Sequence, residues 1–424
     1  MRELGTSSSD LRNLPPETGT SITPSRGMHS TAQPALSIVV PTRNRPQYAT
    51  ECIKHLTEIP DSEVEFVIYD NSTNEDLNEA VKALPGDGRL RYVRDRDQLD
   101  VVENFERATR CARGEYITHL GDDDGVSLDI VKCARMARQQ QADALVCRSP
   151  AFYYWPGHRF YYYGSLYAGA LTVRPATGNL RRCRTDVALT RCLKNGGQDF
   201  GDLPKSYQGM VSRRALERVL NRCGRYFPGP SPDLAGGAAL ACCMEQHLEY
   251  DYPFIIVGTS SVSTAGLGSR KAHIGKLEEW PHLPRFALEN WSEIVPRFFS
   301  GRTIWAEDVL QALRACKRSD LIDAFNAEAL YGYCLACHPD MRDAILETRR
   351  KHVVGRVGGG RMLGMATVLR AYLEYNCRRI VSVGNVLGDV LGGRLIKQLT
   401  SIVTAARALQ TNVPFQTEKA PAVI

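Results

Sequence analysis

The 424-residue chain has no apolar run near the roughly 20 residues needed to cross a bilayer. It also lacks a basic start followed by an apolar core, so no signal peptide is expected and the chain is expected in the cytoplasm. No cysteine framework is visible. There are 13 cysteines, an odd number, scattered and often in apolar settings such as Cys111, Cys147, Cys242 and Cys243. That distribution excludes a disulfide scaffold and suits reduced thiols. A strong charge of one sign is missing too, and the net charge of +6 gives no reason to invoke nucleic acid. The charge is nevertheless uneven. From Arg342 onward, 13 Lys and Arg stand against 5 Asp and Glu. Such a region suits an anionic surface, for example the inner face of the plasma membrane, or a plain solvated helix face.

What is present divides the chain. Residues 1–34 are rich in Ser, Thr, Pro and Gly, with little to bury, and are expected to form a disordered leader. From 35 to 265, short β-branched runs at 36–40, 64–69, 90–93, 116–120 and 144–147 alternate with helical periodicity. This predicts an α/β fold, a mostly parallel sheet with helices on both faces. Ser72 and Glu75 have capping-box spacing, and Ser127 could cap a helix running to Gln140. The aromatic stretch 152–167 reads as a hairpin turning at Trp155, Pro156 and Gly157. Residues 266–276, with Arg270, Lys271 and His273, are expected to form a mobile lid. Residues 277–424 show helical periodicity alone, predicting a helical C-terminal domain. There the stripe Gly384, Gly388 and Gly392 suits core or dimer packing, while Arg378, Arg379, Arg394 and Lys397 suit peripheral membrane contact. Both readings stay open, a homo-oligomer among them.

The chemistry concentrates at the end of the fourth run. Asp122, Asp123 and Asp124 follow a buried-strand pattern and fall at a carboxyl end, where open α/β sheets bind ligands. Adjacent carboxylates raise one another's pKa unless a cation offsets them, and hard oxygen ligands suit Mg²⁺ or Mn²⁺. An acidic turn before a helix is the rival explanation. Two earlier strands end in polar residues as well, at Thr42, Arg43, Asn44 and Arg45, and at Asp70 and Asn71. In a parallel sheet all three loops share one edge.

Residues 37–45 (SIVVPTRNR), 67–72 (VIYDNS) and 114–124 (GEYITHLGDDD) together resemble glycosyltransferase family 2, of the GT-A fold. The resemblance implies a nucleotide-sugar donor, usually a uridine one, and a glycan or lipid-linked acceptor in surface polysaccharide synthesis. It implies that Asp70, with Asn71 beside it, accepts from the nucleotide base, and that Pro41, Thr42, Arg43, Asn44 and Arg45 flank the nucleotide. Asp122, Asp123 and Asp124 match the metal motif, with Asp122 also beside the donor and Asp123 favoured as a direct ligand. One departure stands out: Gly121 occupies the place where relatives often carry the first acid. Inverting transfer also needs a base for the acceptor hydroxyl. Asp233, in Ser231-Pro232-Asp233, resembles the acceptor-side acid, although an N-cap aspartate would fit equally. Two rivals remain. A sugar nucleotidyltransferase would need glycine in the loop after the first strand, and residues 42–46 have none. A catalytically inactive GT-A module would bind glycans or partners without turnover.

Overall fold

The computed structural model describes residues 21–23, 33–353, 359–391 and 395–415. Most of the expected leader therefore lies outside the described residues, as do Gly392 and Arg394. The strands in chain order are β1 (Ser21–Thr23), β2 (Leu36–Thr42), β3 (Val64–Asp70), β4 (Leu90–Arg94), β5 (Tyr116–His119), β6 (Gly125–Val126) and β7 (Ala144–Cys147). They continue as β8 (Ala151–Tyr154), β9 (Ala170–Thr172), β10 (Leu180–Arg184), β11 (Gly209–Ser212), β12 (Gln246–Tyr250), β13 (Ile255–Thr259) and β14 (Leu395–Ile396). The α-helices up to Cys337 are α1 (Pro46–Thr57), α2 (Asp76–Ala83), α3 (Val101–Cys111), α4 (Ile130–Gln139), α5 (Thr185–Lys194), α6 (Arg213–Cys223), α7 (Pro232–Ala241), α8 (Thr264–Ser269), α9 (Arg285–Glu289), α10 (Gly301–Ala315), α11 (Ser319–Ile322) and α12 (Ala327–Cys337). The larger sheet runs β1-β4-β3-β2-β5-β11-β7-β12-β10, and the smaller one β14-β9-β8-β13-β6.

The block β4-β3-β2-β5 is parallel, as the alternation predicts. The sheet as a whole is mixed, because β11 enters antiparallel between β5 and β7, and β1 and β10 close the edges antiparallel. Strands β2 and β3 are buried along their whole length and feed two cores in alternation. Val39 and Val67 join the core beneath helices α3 (Val101–Cys111), α6 (Arg213–Cys223), α7 (Pro232–Ala241), α10 (Gly301–Ala315) and α12 (Ala327–Cys337). Ile38, Val40, Phe66 and Ile68 join the opposite core, beneath α1 (Pro46–Thr57) and α4 (Ile130–Gln139).

Several local expectations shift. Asp129, not Ser127, precedes the first turn of α4. The helix Asp76–Ala83 starts without a side-chain cap, and Ser72 instead accepts from the Asn44 backbone N–H at 2.7 Å. The hairpin exists as the antiparallel β8–β9 pair, but residues 155–169 connect it instead of a tight Pro-Gly turn. The expected lid is anchored: Lys271 Nζ donates to Tyr162 at 2.8 Å, Arg270 to the Ser261 carbonyl at 2.7 Å, and His273 packs on Trp280 and Phe299.

The helical region is not set apart from the sheet. One core runs from Val39 through Ala238 to Val309, Leu330 and Val368. The helix Ile402–Asn412 places Ile402, Ala405, Ala406 and Leu409 against Tyr48, Tyr153, Trp155 and Ile256. Just before it, β14 adds to β9, so the described part of this region holds one short strand among its helices. All 13 cysteines are free thiols. No helix among the described residues is long and apolar enough to cross a membrane.

Candidate active site

The parallel block brings the three polar loops together, and hydrogen bonds join them. Thr42 Oγ1 donates to Asp122 Oδ2 at 2.7 Å. The Thr73 N–H donates to Asn44 Oδ1 at 2.8 Å, with Asn44 in the left-handed conformation that Asn tolerates (φ 57°). Arg43 is tied to the Leu99 carbonyl at 2.6 Å. Arg45 reaches across the edge. Its Nη1 lies 2.8 Å from Asp122 Oδ1, and its Nη2 lies 3.0 Å from Asp123 Oδ2 and 2.8 Å from Ser260 Oγ.

The three aspartates are all buried, yet they point to different partners. Asp123 Oδ2 accepts from the Ser260 N–H at 2.9 Å, and its carbonyl accepts from Trp155 Nε1 at 3.0 Å. Asp124 turns inward, taking Gly258 N–H at 2.6 Å, Gly121 N–H at 2.9 Å and Tyr207 Oη at 2.5 Å. This accounts for Gly121. A Cβ there would stand 2.9 Å from both Asp124 Oδ2 and Tyr207 Oη. Gly258 is required more strictly, since a Cβ would lie 1.7 Å from the Asp123 carbonyl oxygen, a backbone atom.

Burial raises Asp122 to about 6, against the opposing charge of Arg45. Burial, then the Asp123 charge, raises Asp124 to about 7. Arg45 is raised in turn: burial lowers it, but Asp122 and Asp123 outweigh that. A divalent ion fits Asp122 and Asp123. The chemistry is hard oxygen, and Asp122 Oδ1 is a buried oxygen with no hydrogen bond, its Arg45 contact being out of line for one. Asp124 offers no such unpartnered oxygen, since Oδ1 accepts from the Gly258 N–H and Oδ2 from the Gly121 N–H and Tyr207 Oη. The only three potential ligands with atoms within 4.8 Å of one another, among the described residues, are Cys183, His247 and Glu249 at the β10–β12 edge. There Arg181 already holds Glu249 at 2.6 Å.

Asp70 is placed differently from the expectation. It is fully buried, with the Ser72 N–H at 2.8 Å, Tyr92 Oη at 2.6 Å and Arg94 at 2.8 Å on its carboxylate. Beside it, Asn71 donates to the carbonyls of Asp95 and Asp97, which leaves its Oδ1 buried without a partner. Asp233 is exposed at the start of α7 and accepts from Ser231 Oγ at 2.6 Å and the Leu234 N–H at 2.9 Å. Burial raises Tyr207, with the Asp233 charge adding to it, and burial lowers the half-buried Lys205, with the Asp233 charge offsetting part of that. His119 is a satisfied core histidine between Thr109 and Ser206, both at 2.9 Å. Tyr207, Gly258 and Ser260 belong to the site without any sequence motif to mark them. The Gly-Thr-Ser run ending β13 was the only available hint.

Residues 37–192 match the family described as Glycosyl transferase family 2. This segment belongs to that family. The Glycosyltransferase GlyG of Streptococcus pneumoniae serotype 4 is 24% identical over 113 residues, 26% of this chain and 38% of that protein. The putative colanic acid biosynthesis glycosyl transferase WcaA of Escherichia coli K12 is 36% identical over 93 residues, 22% of this chain and 33% of that protein. The chain thus matches a third or slightly more of the length of these curated relatives. A crystal structure of S. aureus TarS 1–349 in complex with UDP-GlcNAc aligns at 15% identity with a TM-score of 0.42. That alignment covers 75% of this chain and 92% of the other.

Proposed function

We propose that the protein is a metal-dependent, inverting glycosyltransferase. It would transfer a sugar from a nucleoside-diphosphate sugar to a glycan or lipid-linked acceptor in surface polysaccharide synthesis. The observation that carries this reading is the union of three loops at Asp122 and Asp123, where one buried oxygen lacks a hydrogen bond. Asp122 and Asp123 would hold Mn²⁺ or Mg²⁺, which when bound stabilises the departing diphosphate. Arg45, pivoting from the carboxylates, would add positive charge beside the same phosphates. Asp124 would position the loop and bind no ion.

The unpartnered Asn71 Oδ1 is an acceptor for a ring N–H. Uracil and guanine offer such a donor, whereas cytosine and adenine do not, and we favour the uridine nucleotide. Asp70 would act behind it, holding Arg94 and Tyr92. Asp233 would take the proton of the acceptor hydroxyl, a step worth about 10²–10⁴ in rate. Exposed Met365, Leu369, Tyr372, Leu373 and Ile380 on the helix Gly359–Leu391, with Arg378 and Arg379 nearby, favour contact with a membrane surface.

Calorimetry with UDP, GDP, CDP and ADP, each with and without Mn²⁺, tests the donor half. Metal-dependent binding of UDP is expected, and equal binding of all four without metal would sink it. A second reading rests on the Arg45 ion pairs, in which the guanidinium alone neutralises the carboxylates. Full turnover in chelator would favour that version.

A further inference from the structure

A second group of acids, Asp233 and Asp308, meets at Ser231. Asp308, on α10, is fully buried, and no Lys or Arg forms an ion pair with it among the described residues. It faces the loop that carries Asp233. The Ser231 N–H donates to Asp308 Oδ1 at 2.7 Å, and Ser231 Oγ lies 2.5 Å from Asp308 Oδ2. The same Ser231 Oγ lies 2.6 Å from Asp233 Oδ1. Gly229 permits this approach, since a Cβ there would stand 2.9 Å from Asp308 Oδ1.

The protons can be counted. A serine hydroxyl carries one hydrogen and can donate to one carboxylate only. A second ionised carboxylate at this distance would press its lone pairs against those of Oγ. One of the two acids therefore brings its own proton. Asp233 is exposed and can stay charged in water, while Asp308 is dry and without a counterion. The chain of donation then runs from Asp308 Oδ2–H to Ser231 Oγ, and from Ser231 Oγ–H to Asp233 Oδ1.

We infer that Asp308 is a protonated carboxylic acid in the folded protein and a positioning residue that aims Asp233 through Ser231. Its catalytic half rests on the reading of Asp233 as the base. The charged groups nearby agree with the assignment. Asp233 and Glu307 both push Asp308 upward, on top of the larger effect of burial, and Lys205 and Tyr207 face Asp233. The helical region thereby reaches the acceptor side of the site from beneath.

The test compares Asp308→Asn with Asp308→Ala in the full chain. An amide reproduces a protonated acid: it donates to Ser231 Oγ and accepts from the Ser231 N–H. Asp308→Asn should fold and melt at or above the wild-type midpoint at pH 8, with the gap closing as pH falls toward 4. Asp308→Ala should melt lower at every pH. An Asn variant that fails to fold, or falls as far as the Ala variant, overturns the assignment. The infrared difference between wild type and Asp308→Asn should contain the carbonyl stretch of a protonated carboxyl, and its absence counts against the proposal equally.

For the catalytic half, Ser231→Ala removes a donor from the Asp233 carboxylate. The acid limb of kcat/KM should move up by about one pH unit, and an unmoved limb overturns the positioning role. Should Asp233→Asn keep full turnover, the base reading fails. The infrared and melting results would then still decide the protonation of Asp308.

Discussion

Two acidic clusters, one joined by Arg45 and one by Ser231, meet the cost of burial in opposite ways. Asp122 and Asp123 lie beside a guanidinium, with Arg45 touching both. Asp308 has no cation, and in our reading it keeps a proton. A counterion can be exchanged for another cation, so the first cluster can admit a metal and a diphosphate. A proton held between Asp308 and Ser231 has nowhere dry to go, so the second cluster can only orient its neighbours. In our proposal the same residue type would serve exchange on the donor side and rigidity on the acceptor side.

The sharpest way to break this contrast is Asp123→Asn, which removes half of the charge that a cation would meet. We expect turnover to fall about 10²–10³-fold, with melting nearly unchanged, as measured by release of nucleoside diphosphate. Retained activity would leave the first cluster with no more than a structural role.

Acidification probes burial from another side. His55 and His119 are held neutral by burial, lowered to about 4 and about 3. His55 Nε2 accepts from the Val126 N–H, just past the acidic loop. A histidine whose folded pKa is depressed gives full stability above its unfolded value near 6.5. That stability is lost as pH falls toward 4, by about 3 kcal/mol for His55. Urea unfolding at pH 7 and pH 4 should show the drop, and His55→Gln should lessen it while leaving the share that belongs to His119.

Arg45→Gln sharpens the donor half. The Arg45 side chain is 23% exposed, so the loss should fall below that of a dry ion pair, about 1–3 kcal/mol. Mn²⁺ should restore much of the lost melting temperature, because the ion replaces the missing charge. Destabilisation that Mn²⁺ leaves untouched would separate Arg45 from any metal site.

The residues explain how far sequence could reach. The runs at 36–40, 64–69 and 116–120 are buried on both faces, so composition alone marks them as parallel core strands. Once they are parallel, Thr42, Asp70 and Asp122 must share an edge. Nothing local says that β11 enters between β5 and β7, because that pairing is settled by shape at long range. The same holds for the helix Ile402–Asn412, whose apolar stripe reads as any amphipathic helix until Tyr48 and Trp155 are seen to receive it. Asp70 reads as a free acceptor because its partner Arg94 lies 24 residues away on the neighbouring strand. The division of labour among the three aspartates was illegible for a similar reason. Tyr207 and Gly258, which turn Asp124 inward, come from distant loops and strands.

Tyr207→Phe is the mildest test and bears on both clusters. The ring stays, so packing beside the two acids is kept and only one hydroxyl is lost. Asp124 retains the Gly258 and Gly121 donors, which limits the cost to about 1–2 kcal/mol. Turnover should drop less than in Asp123→Asn, since in our proposal Asp124 positions the loop and would not touch the ion. If the two variants lose turnover equally, Asp124 or Tyr207 must meet the substrate directly. The boundary between an exchanging cluster and an orienting one would then fall elsewhere.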